Sequence, residues 1–251
     1  MANTSLSLAG RKALVTGGPR GYTPAIVRAL AEAGADVAVA CHRVAEARTA
    51  AEQAKAAGRQ GIAIQADVRN ARSVAAMSFE AARRLGPVDI LVNDATVEVA
   101  KPVTDLTPAE WDQALAWGLR AAFLCSRDLG DAMARRGGGS IINVVSGLAD
   151  RGIVNGAALC AVESGVVGLT RALSMEWARS NVQVNAVATG WMASEPIALH
   201  PGGDVLTRYV PMRRLGRAEE LAGAIVYLSS PLSAYLTGQV LHMDGGVGAH
   251  L

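Results

Sequence analysis

Lys12-Ala13-Leu14-Val15-Thr16-Gly17-Gly18-Pro19-Arg20-Gly21-Tyr22-Thr23 is the stretch whose reading decides the fold. An apolar run from Lys12 to Thr16 passes into a glycine-rich turn, and a helical pattern begins at about residue 23. Glycines at such a turn let the backbone approach a pyrophosphate, whose charge is met by the N-terminus of the following helix. A glycine-rich turn alone is a weak signal. Its position between a strand and a helix, with a second strand following, strengthens it considerably.

Working outward, the same alternation continues along the chain. Apolar runs at Lys12–Thr16, Asp36–Cys41, Gly61–Ala66, Val88–Asn93, Ser140–Val145, Val182–Val187 and Gln239–Met243 read as buried strands. Helical patterns lie between them, at about 23–34, 44–58, 70–85, 107–135, 156–180 and 217–230, with glycine stops such as Gly34 and Gly58. Strands separated by helices imply right-handed parallel crossovers with helices on both faces, and near-continuous apolar strands fit a sheet covered on both sides. The expectation is an α/β, doubly wound Rossmann-type fold with a seven-stranded parallel sheet, as one domain over residues 1–251. Trp191–Pro211 interrupts the rhythm with Pro196, Pro201, Gly202, Gly203 and Pro211. A long excursion at the carboxyl edge of such a sheet reads as a substrate lid.

Composition narrows the function classes. A hydrophobic fraction of 51% excludes a disordered chain, and a net charge of +2 argues against a dedicated nucleic-acid binder. Cys41, Cys125 and Cys160 form no CxxC pair, so neither a disulfide framework nor a metal site is expected, and a reduced, cytoplasmic setting is the default. Met1–Gly10 carries no signal-peptide pattern, and no run of about 18 apolar residues suggests a membrane span. Of the 24 Lys and Arg residues only Lys12, Lys55 and Lys101 are lysine, and the tyrosines are Tyr22, Tyr209, Tyr227 and Tyr235.

Across essentially its whole length the chain resembles the short-chain dehydrogenase/reductase family. The residues that carry the resemblance are the Thr16–Gly21 turn, Ala66-Asp67-Val68, Leu91-Val92-Asn93-Asp94-Ala95, the run Gly139–Ser146, Val184-Asn185-Ala186-Val187 and Met243-Asp244-Gly245-Gly246. The resemblance implies a nicotinamide dinucleotide, a small-molecule substrate, and a homodimer or homotetramer. It places Gly17, Arg20, Gly21, His42, Arg43, Asp67, Val68 and Asn93 at the cofactor, with Asp67 on the adenine. An acidic residue ending the second strand would favour NAD; here Cys41 is followed by His42 and Arg43, with Arg20 in the turn. Guanidinium groups suit a 2′-phosphate, so the expected cofactor is NADP(H).

The family's catalytic pattern is incomplete. Its serine is present as Ser146, but the tyrosine position falls on Leu159, the lysine position one helical turn later on Glu163, and the asparagine position on Gly118. Thr23 and Thr96 replace glycines near the cofactor, and together with Glu163 they weigh against binding. Leucine can donate no proton, and loss of a positioned acid costs about 10²–10⁴ in rate. Three functions are therefore expected, in this order. The first is a repurposed enzyme in which Ser146 and Glu163 perform isomerase-, dehydratase- or cyclase-like acid–base chemistry on a small apolar metabolite. The second is a non-catalytic subunit or NADP(H)-binding partner, alone or in a hetero-oligomer with an active relative. The third is an NADPH-dependent oxidoreductase with a non-tyrosine proton donor, drawn from water, Ser146, Tyr209 or the substrate. Asp94, Cys160, His200, Arg213, Arg214, Arg217, Trp117 and Trp191 are weaker site candidates. Neither nucleic acid nor a membrane is expected as a partner.

Overall fold

A computed structural model describes residues 5–18, 21–94, 99–193 and 207–250. Seven strands form one parallel sheet: β1 (Lys12–Thr16), β2 (Asp36–Cys41), β3 (Gly61–Gln65), β4 (Ile90–Asn93), β5 (Gly139–Ser146), β6 (Val182–Thr189) and β7 (Val240–Met243). Their spatial order is β3-β2-β1-β4-β5-β6-β7. The order reverses between β1 and β4, and the crevice at such a point, beyond the carboxyl ends of the strands, is where these sheets bind ligands. The sequence-derived strand positions and the seven-stranded doubly wound class match this sheet.

Alternation along β1 explains why both faces are covered. Successive side chains of a strand point to opposite faces. Ala13 and Val15 join one apolar cluster with Val37, Val39, Ile26, Leu30 and Leu221, whereas Leu14 joins another with Ala38, Met77, Leu129 and Ile141. The first face is packed by α1 (Thr23–Glu32), α2 (Val44–Ala56) and α7 (Ala218–Ser229). The second is packed by α3 (Ala71–Leu85), α5 (Ala121–Arg136) and α6 (Ala157–Trp177), with α4 (Pro108–Leu115) leading into α5.

Helix boundaries have local causes. The Asn70 side chain accepts from the Arg72 and Ser73 amides at the start of α3, and Thr107 with Glu110 forms a capping box on α4. The continuous helix expected over 107–135 is instead interrupted by a π-helical turn, Ala116–Arg120, centred on Gly118. Glycine is a poor helix former and carries no side chain to resist the wider turn.

With its terminal turn, α6 runs over Ala157–Ser180, long and apolar enough to cross a membrane by length and composition. The sequence reading had found no such stretch. Val162, Val166, Val167, Thr170 and Leu173 are buried, and the helix lies against β5 and β6 as the core helix of the sheet. A side chain on Gly130 of α5 would overlap the Trp177 ring of α6. Gly130→Ala is therefore expected to destabilise the fold by about 1–3 kcal/mol through overpacking, read as a lowered urea midpoint at unchanged slope.

Candidate active site

The glycine turn sits at the carboxyl end of β1. Gly17 donates its amide to Ala40 O at 3.0 Å, which ties the turn to β2. A Cβ on Gly17 would collide with Thr23 Oγ1 and lie 2.9 Å from Asp94 O, so no other residue fits there. The N-cap residue Tyr22 makes no side-chain cap and no acidic residue stands in the first turn of α1, while the Thr23 amide at its start is taken by the Asp94 carboxyl. A helix N-terminus with no acidic residue of its own in the first turn fits a dinucleotide pyrophosphate. Gly21 has φ +80°, a left-handed conformation that favours glycine. Arg20, Thr96, His200 and residues 194–206 of the expected lid lie outside the described residues.

Thr23 was expected to obstruct this turn. Instead its side chain is buried beneath it, and Oγ1 donates to Asp94 Oδ2 at 2.6 Å. The hydroxyl therefore faces the protein interior. Burial pushes the Asp94 carboxyl up to about 7, opposed by the hydrogen bonds from Thr23. Thr23 and Asp94, two positions where the sequence was expected to depart from the family pattern, thus form a single interaction across the turn. Their simultaneous appearance in the sequence was the available signal.

Beyond the ends of β2 and β3, at the residues expected to meet the adenosine, Asp67 lies next to Val68 and near His42, with two further residues beside them. Arg69 donates from Nε and Nη2 to the two Asp67 oxygens at 2.8 and 3.0 Å. Its guanidinium lies 4.1 Å from the centre of the Trp117 ring, and Trp117 meets His42 edge-on at 6.3 Å. Hydrogen bonding from Arg69 holds the Asp67 carboxyl below its ordinary range. A carboxylate offers about four lone-pair sites, so Asp67 keeps acceptor capacity for an adenine. Trp117 belongs to this end, whereas Trp191 pairs with Arg151 at 5.7 Å.

Asn93 is buried in the sheet. Its Nδ2 donates to Asn143 Oδ1 at 2.8 Å and to Ser126 Oγ at 3.2 Å, and Asn143 Nδ2 donates in turn to Thr170 Oγ1 at 2.8 Å. This network fixes β4 to β5 and to the helices behind them. A small cavity of about 20 Å³ lies beside it, lined by Thr16, Asn93, Gly118, Asn143 and Glu163 among others. That volume and polar lining suit one water molecule.

Ser146 ends β5, and Glu163 stands in the second turn of α6. Glu163 Oε2 accepts from the Ser146 backbone amide at 3.1 Å. Burial pushes the Glu163 carboxyl up to about 7, only partly offset by that hydrogen bond, so it can hold a proton near neutral pH. Leu159, one turn earlier, packs in the small apolar cluster of Ala114, Val162 and Trp111.

The three lysines are engaged elsewhere. Lys12 pairs with Asp36 at 2.5 Å at the amino edge of the sheet, Lys55 with Glu52 and Lys101 with Glu110. Tyr209 and Tyr235 are exposed. Cys160 is half-buried. Arg214 pairs with Glu220, and Arg213 bonds the Arg208 carbonyl. Among the described residues, no three His, Cys, Asp or Glu side chains are grouped to hold a metal.

A seven-stranded parallel sheet, a glycine turn opening onto a helix N-terminus and an acid-bearing cleft at the same edge are the features of a Rossmann-type fold. A sequence profile described as enoyl-(acyl carrier protein) reductase matches residues 19–248. Nodulation protein G of Azospirillum brasilense is 37% identical over 238 residues, covering 94% of this chain and 97% of that one. The 3-oxoacyl-(acyl-carrier-protein) reductase FabG of Staphylococcus epidermidis is 34% identical, covering 94% and 98%. The crystal structure of a gluconate 5-dehydrogenase from Burkholderia cenocepacia, in complex with NADP and tartrate, superposes with a TM-score of 0.93 at 30% identity over 98% of each chain. The chain belongs to the short-chain dehydrogenase/reductase family.

These findings correct the leading functional expectation. Relatives matched over nearly their full length are named as reductases and dehydrogenases. That overturns the reading of a non-redox isomerase, dehydratase or cyclase, and equally that of a non-catalytic subunit. The objection to dinucleotide binding also falls. Thr23 is buried and turned toward Asp94, and similar structures hold NADP.

Proposed function

We propose that this protein is a nicotinamide-dinucleotide oxidoreductase that interconverts a secondary alcohol and a ketone on a small metabolite, with NADP(H) as cofactor. The observation that carries the reading is the retention of the whole dinucleotide frame in a chain whose full-length relatives are named oxidoreductases. His42 and Arg43 beyond β2, with no acidic residue ending that strand, support the phosphorylated cofactor. Gly17, Gly21 and the α1 N-terminus would hold its pyrophosphate, and Asp67 with Val68 its adenine. The bound cofactor supplies or accepts the hydride.

The proton is this chain's own task. Leu159 and Glu163 occupy the positions of the family's tyrosine and lysine, so the donor differs from the family's. Glu163 is the group that can hold a proton at neutral pH in this cleft, and it is fixed against Ser146. In this reading Ser146 orients the substrate oxygen, and Glu163 gives that oxygen its proton on reduction and takes it back on oxidation. One domain with a lid at about 191–211, a homodimer or homotetramer, and cytoplasmic residence complete the reading. They are supported by the resemblance and by the unpaired cysteines.

The test is direct. Purified protein is mixed with NADPH or NADP⁺ and a panel of gluconate-type hydroxy and oxo acids, vicinal diols and 3-oxoacyl thioesters, and nicotinamide absorbance is followed. Turnover of at least one class is expected. Binding of the cofactor with no hydride transfer to or from any of them would overturn the proposal.

A further inference from the structure

Cofactor choice in a doubly wound sheet is decided beside the adenosine ribose, between the glycine turn and the end of the second strand. In this chain two side chains meet there, Cys41 from the end of β2 and Glu46 from the helix that follows. Glu46, in the first turn of α2, has Oε2 3.5 Å from Cys41 Sγ at the end of β2. The same oxygen lies 3.3 Å from where a Cβ on Gly18 would be. Its other oxygen pairs with the Arg43 guanidinium. The Glu46 side chain is 24% exposed and that of Arg43 is 64% exposed, so the carboxylate is the inner member of the pair.

We propose that Glu46 is the specificity-determining residue of the cofactor site, limiting its preference for NADP(H) and letting it accept NAD(H) as well. The inference rests on the dinucleotide reading above. A carboxylate bridging the turn and the end of β2 accepts hydrogen bonds from ribose hydroxyls, as an acidic residue at the strand end would. It opposes a 2′-phosphate in two ways: by like charge, and by engaging the Arg43 guanidinium, whose donors are then shared between the carboxylate and the phosphate. The sequence spacing hides this role, because the acid stands five residues beyond Cys41, on the helix.

Titration calorimetry of the full chain with NADPH and with NADH, free of substrate, tests the assignment in the wild type, Glu46→Gln and Arg43→Gln. The wild type is expected to bind both. Glu46→Gln should raise the NADPH-to-NADH affinity ratio about three- to fivefold, the scale of one partly screened charge interaction, and Arg43→Gln should lower it by a similar factor. Both positions are on the surface of α2 and its cap, so the melting temperature should stay close to that of the wild type. Binding with a ratio that moves less than about twofold in Glu46→Gln would overturn the role of Glu46 and leave the oxidoreductase reading standing. Failure of the wild type to bind either dinucleotide would overturn that reading, and this inference with it.

Discussion

Glu163→Gln is expected to lower kcat for carbonyl reduction about 10²–10⁴-fold, the range for loss of a positioned general acid. The amide oxygen of glutamine can still accept from the Ser146 amide, so the local geometry of β5 and α6 should persist and cofactor affinity should change little. What the substitution removes is the exchangeable proton. The wild-type pH profile supplies an independent reading. A carboxyl that titrates at about 7 is protonated below that pH, so reduction should be fastest there and decline as the pH rises through 7. Oxidation needs the carboxylate and should show the mirror image. Desolvation is the main cause of the raised value, the Ser146 amide opposes it, and no charged neighbour contributes. The profile should therefore depend only weakly on salt. A Glu163→Gln enzyme that keeps both its rate and its pH dependence would remove Glu163 from the mechanism.

Asp94→Asn is expected to stabilise the protein at pH 8 by about 2–4 kcal/mol while changing stability little near pH 4. The sign follows from burial. The folded Asp94 holds its proton up to about 7, whereas the unfolded chain releases it near 3.8. Between those values the native state binds more protons than the unfolded state, so stability attributable to this residue falls as pH rises and levels off above about 7. Asparagine remains neutral throughout, and its Oδ1 can accept from Thr23 Oγ1 in place of the carboxyl. Chemical denaturation at several pH values reads the difference. A gap between variant and wild type that is the same at acid and alkaline pH would show that Asp94 does not carry the linkage. Glu163 acts in the same direction, so wild-type stability should decline from pH 5 to pH 8 more steeply than Asp94 alone requires.

Much of the fold was legible because its signals are local. The strand at Lys12–Thr16, the glycine turn and the helix beginning at Thr23 are set by apolar runs, by φ freedom at Gly21 and by the helix periodicity, each contained within a few residues. The break at Ala116–Arg120 was not legible. A π-turn adds a residue to one helical turn without disturbing the apolar pattern on either side. At the site, Ser146 and Glu163 could be placed by their positions in the chain, but only as positions.

By itself, the sequence determined the doubly wound parallel sheet, the place of the glycine turn, and the absence of tyrosine and lysine at 159 and 163. The tertiary structure alone decided which side chains meet. Thr23 and Asp94, 71 residues apart, close beneath the turn; Arg69 and Trp117 gather at the adenosine end; Glu46 reaches from α2 to Gly18. It also decided that Glu163 lies largely buried against Ser146 rather than in solvent. The reason is physical: backbone preferences and apolar periodicity act over a few residues and are written along the chain. A pKa, an ion pair or an obstructed turn depends on burial and on neighbours that only packing brings together.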